Sequence, residues 1–180
     1  MELTHRLAKN ADTPAIAALM ERAIAQLQRP FLSAEQIAAS RLSMGLDTQL
    51  IADGTYFAIE SGGALVGCGG WSKRATLYGG NHSAALRDDR LLDPATEPAR
   101  IRAMYTDPVH TRRGIGRLIL TLCEAAARET GFERLELMAT AAGEPLYQAC
   151  GYRVIERVAR MASDGIAVPG AVMGKALDQG

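Results

Sequence analysis

The sequence is poor in cysteine, lysine and aromatic residues and has no long apolar run, and each scarcity narrows what the chain can be. Cysteine occurs only at Cys68, Cys123 and Cys150. An odd set of isolated thiols without a C-x-x-C pair excludes a disulfide framework and reads as reduced core filler in a cytoplasmic protein. His5, His82 and His110 have no metal-like spacing to one another or to the cysteines, so no metal site is expected. There is no run of about 18 apolar residues and no basic-then-apolar leader, so neither a membrane span nor a secretion signal is expected. Net charge is absent too, since 20 basic residues balance 20 acidic ones. That argues against general nucleic-acid binding, which draws most of its affinity from phosphate neutralisation. Lysine is confined to Lys9, Lys73 and Lys175, which leaves arginine as the main cation. Its planar fork suits oxyanions.

What is present suits one globular domain over residues 1–180, with 48% hydrophobic and 22% charged residues. A first strand is expected over Leu3–Ala8. Asp12-Thr13-Pro14 then starts a helix, with a capping side chain before proline. Its apolar face runs through Ile16, Leu19, Met20, Ala23, Ile24 and Leu27 to about Gln28. Ser33 and Gln36 have capping-box spacing and open a second helix to about Met44, ended by Gly45. Tyr56–Glu60 and Ala64–Trp71 read as a hairpin across Ser61-Gly62-Gly63. Gly67, Gly69 and Gly70 in its second strand mark a bulge, the approach of a ligand, or a bent strand under a large neighbour. Ser72–Ala99 is irregular, and loops of that length are functional or mobile. Arg134–Ala139 alternates as a strand, and Glu144-Pro145 opens a short helix closed by Gly151. Arg153–Met161 and Ala171–Leu177 form a last strand pair, separated by Ser163-Asp164-Gly165 and Pro169-Gly170.

Chemistry concentrates in Arg100–Gly131. From Ile101 to Thr106, alternation puts Ile101, Ala103 and Tyr105 on one strand face and Arg102, Met104 and Thr106 on the other. Asp107-Pro108 ends the strand. Ile115, Leu118, Ile119, Leu122, Cys123 and Ala126 then form the stripe of an amphipathic helix that Gly131 stops. Between them lies a loop rich in arginine and glycine. First-turn helix amides lack intrahelical acceptors and sit at the positive end of the macrodipole, so such a junction binds anions. Gly114 and Gly116 let the backbone approach a ligand, and Arg112, Arg113 and Arg117 add three cations able to meet phosphate oxygens. Taken alone, the loop also reads as a basic cap on a core helix. A P-loop is excluded because no Lys-Ser or Lys-Thr follows the second glycine. The dinucleotide fingerprint fails at Ile119, where its third glycine belongs.

Thr111-Arg112-Arg113-Gly114-Ile115-Gly116 instead resembles the pyrophosphate motif of the GNAT superfamily of N-acetyltransferases, Gln/Arg-x-x-Gly-x-Gly/Ala, with Thr111 as the departure. Glu144-Pro145-Leu146-Tyr147-Gln148-Ala149-Cys150-Gly151-Tyr152 is similar to that family's late helix, which carries Leu-Tyr and ends in Gly-Phe or Gly-Tyr. The resemblance extends from about Leu3 to Leu177. It implies an α/β (α+β) acyl-CoA N-acyltransferase fold, a central mixed and mostly antiparallel sheet flanked by helices. It further implies acetyl-CoA as cosubstrate and a primary amine as acceptor, acylated by direct attack. By position, the backbone of Met104, Tyr105 and Thr106 would pair with pantetheine and polarise the thioester. The amides of Arg113, Gly114, Ile115, Gly116 and Arg117 would hold the pyrophosphate, with Arg112 beside them. Tyr147 would protonate the leaving thiolate; its alternative role is that of a packed core aromatic. The resemblance assigns no general base, leaving Glu60, His82, His110, Glu136 or ordered water. It admits a homodimer. Other acyl-CoA donors, a hydroxyl acceptor and a non-catalytic acyl-CoA sensor stay open beside the amine reading. The acceptor is written mainly in Gln28–Leu50 and Ser72–Ala99.

Overall fold

Seven strands form one sheet: β1 (Thr4–Leu7), β2 (Tyr56–Ser61), β3 (Ala64–Ser72), β4 (Ala99–Thr106), β5 (Arg134–Thr140), β6 (Arg153–Met161) and β7 (Ala167–Ala176). They lie side by side in the order β1-β2-β3-β4-β5-β7-β6. All neighbours run antiparallel except β4 and β5, which are parallel. Helices α1 (Thr13–Leu27), α2 (Ala34–Ser40), α3 (Thr48–Ala52), α4 (Ile115–Glu129) and α5 (Glu144–Ala149) complete the fold. The computed structural model describes residues 2–162 and 164–177, so Met1, Ser163 of the expected turn and residues 178–180 of the expected domain lie outside the described residues. The mixed, mostly antiparallel sheet flanked by helices is the fold class implied by the motifs.

Each sheet face carries its own core. On one side α4 buries Ile115, Ile119, Leu120, Cys123 and Ala127, packed with Trp71, Phe132, Leu135 and Tyr152. At about 1.5–3 kcal/mol for each large aliphatic side chain removed from water, this stripe holds the helix on the sheet. Gly67 and Gly69 are explained here by packing: a Cβ at Gly67 would lie 2.3 Å from Ile115 Cγ2, and one at Gly69 2.7 Å from Ile119 Cγ2. On the other side α1 buries Ile16, Leu19, Met20, Ala23 and Ile24 against Ile37, Leu50, Tyr56 and Tyr105.

Several local expectations change. Asp12 precedes α1 but gives it no side-chain cap; its carboxylate accepts from the Lys9 amide at 2.7 Å and pairs with Arg6. The Ser33–Gln36 capping box forms as expected. The second helix ends at Ser40 rather than near Met44, because buried Ser40 turns its hydroxyl to Ile37 O and receives Gln28 Nε2. Helix α3 was not legible; Asp47 caps it by accepting from the Gln49 amide. The last strand starts at Ala167, running through Pro169-Gly170. Pairing with β5 stops at Thr140–Gly170, while Pro169 pairs with Ala159 of β6 alone.

Candidate functional site

The site begins with an irregularity in β4. Ala103 has φ +50°, and the register slips around it: Cys68 pairs with Tyr105, whereas Gly70 pairs with Arg102. One extra residue in β4 is a bulge, which bends the strand and re-aims its side chains. The expected shared face of Ile101, Ala103 and Tyr105 is therefore broken. Ile101 packs in the α4 core, while Tyr105, with Ala103 against it, packs in the α1 core. The Tyr56 hydroxyl donates to Ala103 O at 2.7 Å and holds the bulge. β4 and β5 part company already before the bulge, since their paired residues are only Ala99–Leu135 and Arg100–Glu136. The β5-facing backbone edge from Ile101 to Thr106 borders a cavity of about 750 Å³ instead of a strand.

One wall of the cavity comes from α4 and α5. Gly114 caps α4 with φ +83°, a conformation in which other residues are strained, and Arg112 before it also has positive φ. The cap supplies no side-chain acceptor, and the first turn of α4 holds no acidic residue. Its amides and dipole thus present positive potential to the cavity, beside exposed Arg112 and Arg117. Gly116 has a packing reason as well, because a Cβ there would meet Leu146 Cδ2 at 2.5 Å. Tyr147 follows Leu146 on α5 and lines the cavity. Its hydroxyl lies 3.8 Å from Met104 Sδ, and its ring meets Tyr152 edge-on at 6.0 Å. Burial pushes the Tyr147 phenol well above its ordinary value, so it holds its proton at neutral pH.

The opposite wall is built from distant segments, including Gln28, Ser43, Gly45, Tyr78 and Arg160. Arg102 anchors it: its guanidinium meets Asp47 at 2.9 Å, with side chains only 3% and 0% exposed. The same group donates to Gly79 O at 2.7 Å and Thr76 O at 3.2 Å, and Arg87 adds a second cation to Asp47. Burial lowers the Arg102 pKa, with Asp47 opposing that shift. This network ties the irregular loop after β3 to the segment before α3. Gly45 N donates to the Tyr105 hydroxyl at 3.1 Å, which joins the same segment to β4.

The sequence matches the acetyltransferase (GNAT) family over residues 18–152. The chain belongs to the GNAT acetyltransferase family. No curated protein sequence matches it, but solved structures share its fold. It is similar to a GCN5-related N-acetyltransferase from Rhodopseudomonas palustris at 19% identity and a TM-score of 0.72, over 98% of this chain and 97% of that one. It is likewise similar to yncA from Salmonella typhimurium, solved with acetyl-CoA, at 18% identity and a TM-score of 0.65, over 100% and 96%. A third is the paia N-acetyltransferase from Thermoplasma acidophilum, in complex with coenzyme A, at 12% identity and a TM-score of 0.64, over 98% and 99%.

Within this GNAT chain, Met104, Tyr105, Thr106, Arg112, Gly114, Ile115, Gly116, Arg117 and Tyr147 all border the one cavity, whereas Arg113 does not. The Ile115 side chain is only 1% exposed and packs in the core, so backbone is what it can offer a ligand. The general-base candidates separate. Glu60 pairs with Arg6 at 2.7 Å, Glu136 with Arg100 at 2.6 Å, and His82 Nε2 lies 2.8 Å from Arg41 O. Of the four only His110 lines the cavity; its Nδ1 is buried and 3.8 Å from Asp107 Oδ1. Gln28, Ser43 and Tyr78 fall in the stretches expected to face the acceptor, whereas sequence reasoning missed Arg102 and Arg160 as wall residues. Arg102 carried a faint signal, a charge inside an apolar strand. Among the described residues, no group of three or more His, Cys, Asp or Glu is arranged to hold a metal. No described helix is long and apolar enough to cross a membrane.

Proposed function

We propose that the protein transfers the acetyl group of acetyl-CoA to a primary amine by direct attack. The observation that carries this reading is the single cavity, which runs from the open N-terminus of α4, along the unpaired edge of β4, to the wall behind it. The two substrates can therefore meet without a relay.

The amides from Gly114 to Arg117 hold the pyrophosphate, and Arg112 and Arg117 add screened charge from the surface. The free edge of β4 at Met104, Tyr105 and Thr106 pairs with the amide-bearing pantetheine arm as an added strand would. It also offers hydrogen bonds to the thioester oxygen as negative charge develops there. The neutral amine attacks the carbonyl carbon, a C–N bond forms, and the oxyanion collapses with cleavage of the C–S bond. Tyr147 gives its phenolic proton to the leaving sulfur, and the surplus proton on nitrogen passes to water or to His110. The place of Tyr147 in the cavity lining supports the acid role; burial keeps the phenol protonated but also makes it a weaker acid, so position rather than acidity carries the assignment.

Cysteine offers no competing route through an acetyl-enzyme here. Cys68 and Cys123 are fully buried; burial pushes the Cys68 thiol up to about 12 and the Cys123 thiol higher still. Cys150 does not border the cavity. The test is release of free CoA from acetyl-CoA across a panel of amines and alcohols. Release with an amine, matched by an N-acetyl product, is expected. Tight CoA binding with no release on any acceptor would favour a sensing module, and release only on alcohols would favour O-acylation.

A further inference from the structure

One largely buried cation in the cavity wall has no carboxylate partner among the described residues. Arg160 stands on β6 and borders the cavity. Its Nη1 donates to Ser43 Oγ at 3.2 Å, and its Cζ lies 5.4 Å from the centre of the Tyr78 ring. Its Nε and Nη2 are buried and find no partner among the described residues. No described carboxylate forms an ion pair with it, although most other arginines here are so paired. Burial depresses its pKa, opposed only by Tyr78 and Tyr105. A buried guanidinium edge left without acceptors is costly, so its persistence in a cavity wall calls for a reason.

The geometry of the orphan edge names the ligand. Nε–H and the adjacent Nη2–H project side by side in one plane, the arrangement that receives both oxygens of a carboxylate. The Tyr78 ring, its centre 5.4 Å from Cζ, takes no hydrogen bond from that edge. Gly170 packs beside it, and a Cβ there would stand 3.4 Å from Arg160 Nε. Gln28 borders the same cavity, and its Oε1 is buried without a partner while its Nε2 is held by Ser40. An amide oxygen can only accept, and so suits an N–H of the incoming molecule.

We propose that Arg160 sets acceptor specificity and that the acceptor is a primary amine carrying a carboxylate, which the Nε/Nη2 edge grips. This deepens the amine-acetylation reading and rests on it for the reaction, though not for binding. Tyr78 belongs to the irregular loop after β3 and covers the guanidinium, so the carboxylate has to enter beside its ring.

The experiment compares the standard amino acids, β-alanine and 4-aminobutanoate with their carboxamides, as acceptors for CoA release and as ligands of the CoA-loaded protein in calorimetry. The best acid should exceed its carboxamide by about 10- to 100-fold in kcat/KM, the range of one or two charge-assisted hydrogen bonds. Arg160→Met should erase that preference, while leaving the affinity for CoA within about twofold, since the pyrophosphate turn lies on the other wall. Arg160→Lys, which keeps charge but loses the fork, should recover only part of it. Aminomethylphosphonate and taurine separate a carboxylate from other oxyanions; equal or better activity with either overturns the carboxylate assignment. A wild-type protein that treats acids and carboxamides alike overturns the proposal, as does a preference that survives in Arg160→Met. If no amine is turned over, the reaction reading fails. Acid-selective binding to the CoA-loaded wild-type protein then still upholds the Arg160 assignment, and its absence refutes it.

Discussion

On the α4 and α5 side, the cavity is lined from two short runs of chain, Met104–Arg117 and Gly143–Tyr147, and much of what they offer a ligand is backbone. The opposite wall gathers Gln28, Ser43, Tyr78, Arg102 and Arg160 from five separated segments, and it offers side chains. The first arrangement suits a constant ligand, since amides at a helix start and along a strand edge recognise phosphate and peptide-like groups whatever the side chains. The second suits a ligand that differs between relatives. Its polar side chains are held by long-range ties such as Arg102–Asp47 and Arg74–Asp53.

The sharpest way to break this division is at Tyr147, where the two walls must act together. Tyr147→Phe keeps the ring against Tyr152 and removes the hydroxyl. Turnover should fall by roughly 10²–10⁴-fold, in kcat more than KM, with CoA affinity unchanged. In the wild-type protein the raised phenol keeps its proton through neutral pH. Activity should therefore rise with pH as the amine deprotonates, with no loss attributable to Tyr147 below about pH 10. A pH–rate profile of both proteins checks the magnitude and the sign.

The variable wall should be the more fragile one. Asp47→Ala leaves Arg102 buried without its carboxylate, and breaking such a pair costs about 3–5 kcal/mol. A urea midpoint shift should report that loss, while the folded fraction binds CoA with nearly wild-type affinity. At the constant wall, Gly114→Ala isolates backbone strain. Its Cβ would meet nothing within 4 Å, yet φ is +83°, a conformation costing roughly 1–2 kcal/mol for a non-glycine residue. The variant should fold and lose about tenfold in CoA affinity by calorimetry. The smallest effects belong to the exposed arginines. Arg112→Gln and Arg117→Gln should each weaken CoA binding by about two- to fivefold at low salt and less at high salt, because screening acts within roughly 8–10 Å.

What was legible in the sequence follows the same division. The helix stripe of α4, the glycine turn and the Leu146-Tyr147 helix are local patterns, and most of the residues they nominate meet at one cavity. The bulge at Ala103 was not legible, because it arises from a register slip against β3 and from a hydrogen bond to Tyr56, 47 positions away. Period-two alternation therefore wrongly grouped Ile101 with Ala103 and Tyr105. Arg102 and Arg160 were missed as wall residues for the related reason that their partners, Asp47 and Ser43, lie 55 and 117 positions distant. Gly116 shows a local motif with a longer-range cause, its hydrogen making room for Leu146.

The central claim is that acetyl-CoA and amine occupy the one cavity together and react directly. Initial rates measured over a matrix of both substrate concentrations, with free CoA and N-acetyl product quantified, test it most directly. The account predicts intersecting double-reciprocal lines, one CoA released per acetamide formed, and no burst of CoA when the amine is withheld. Parallel lines with a burst of CoA before amine is added would show an acetyl-enzyme and contradict direct transfer.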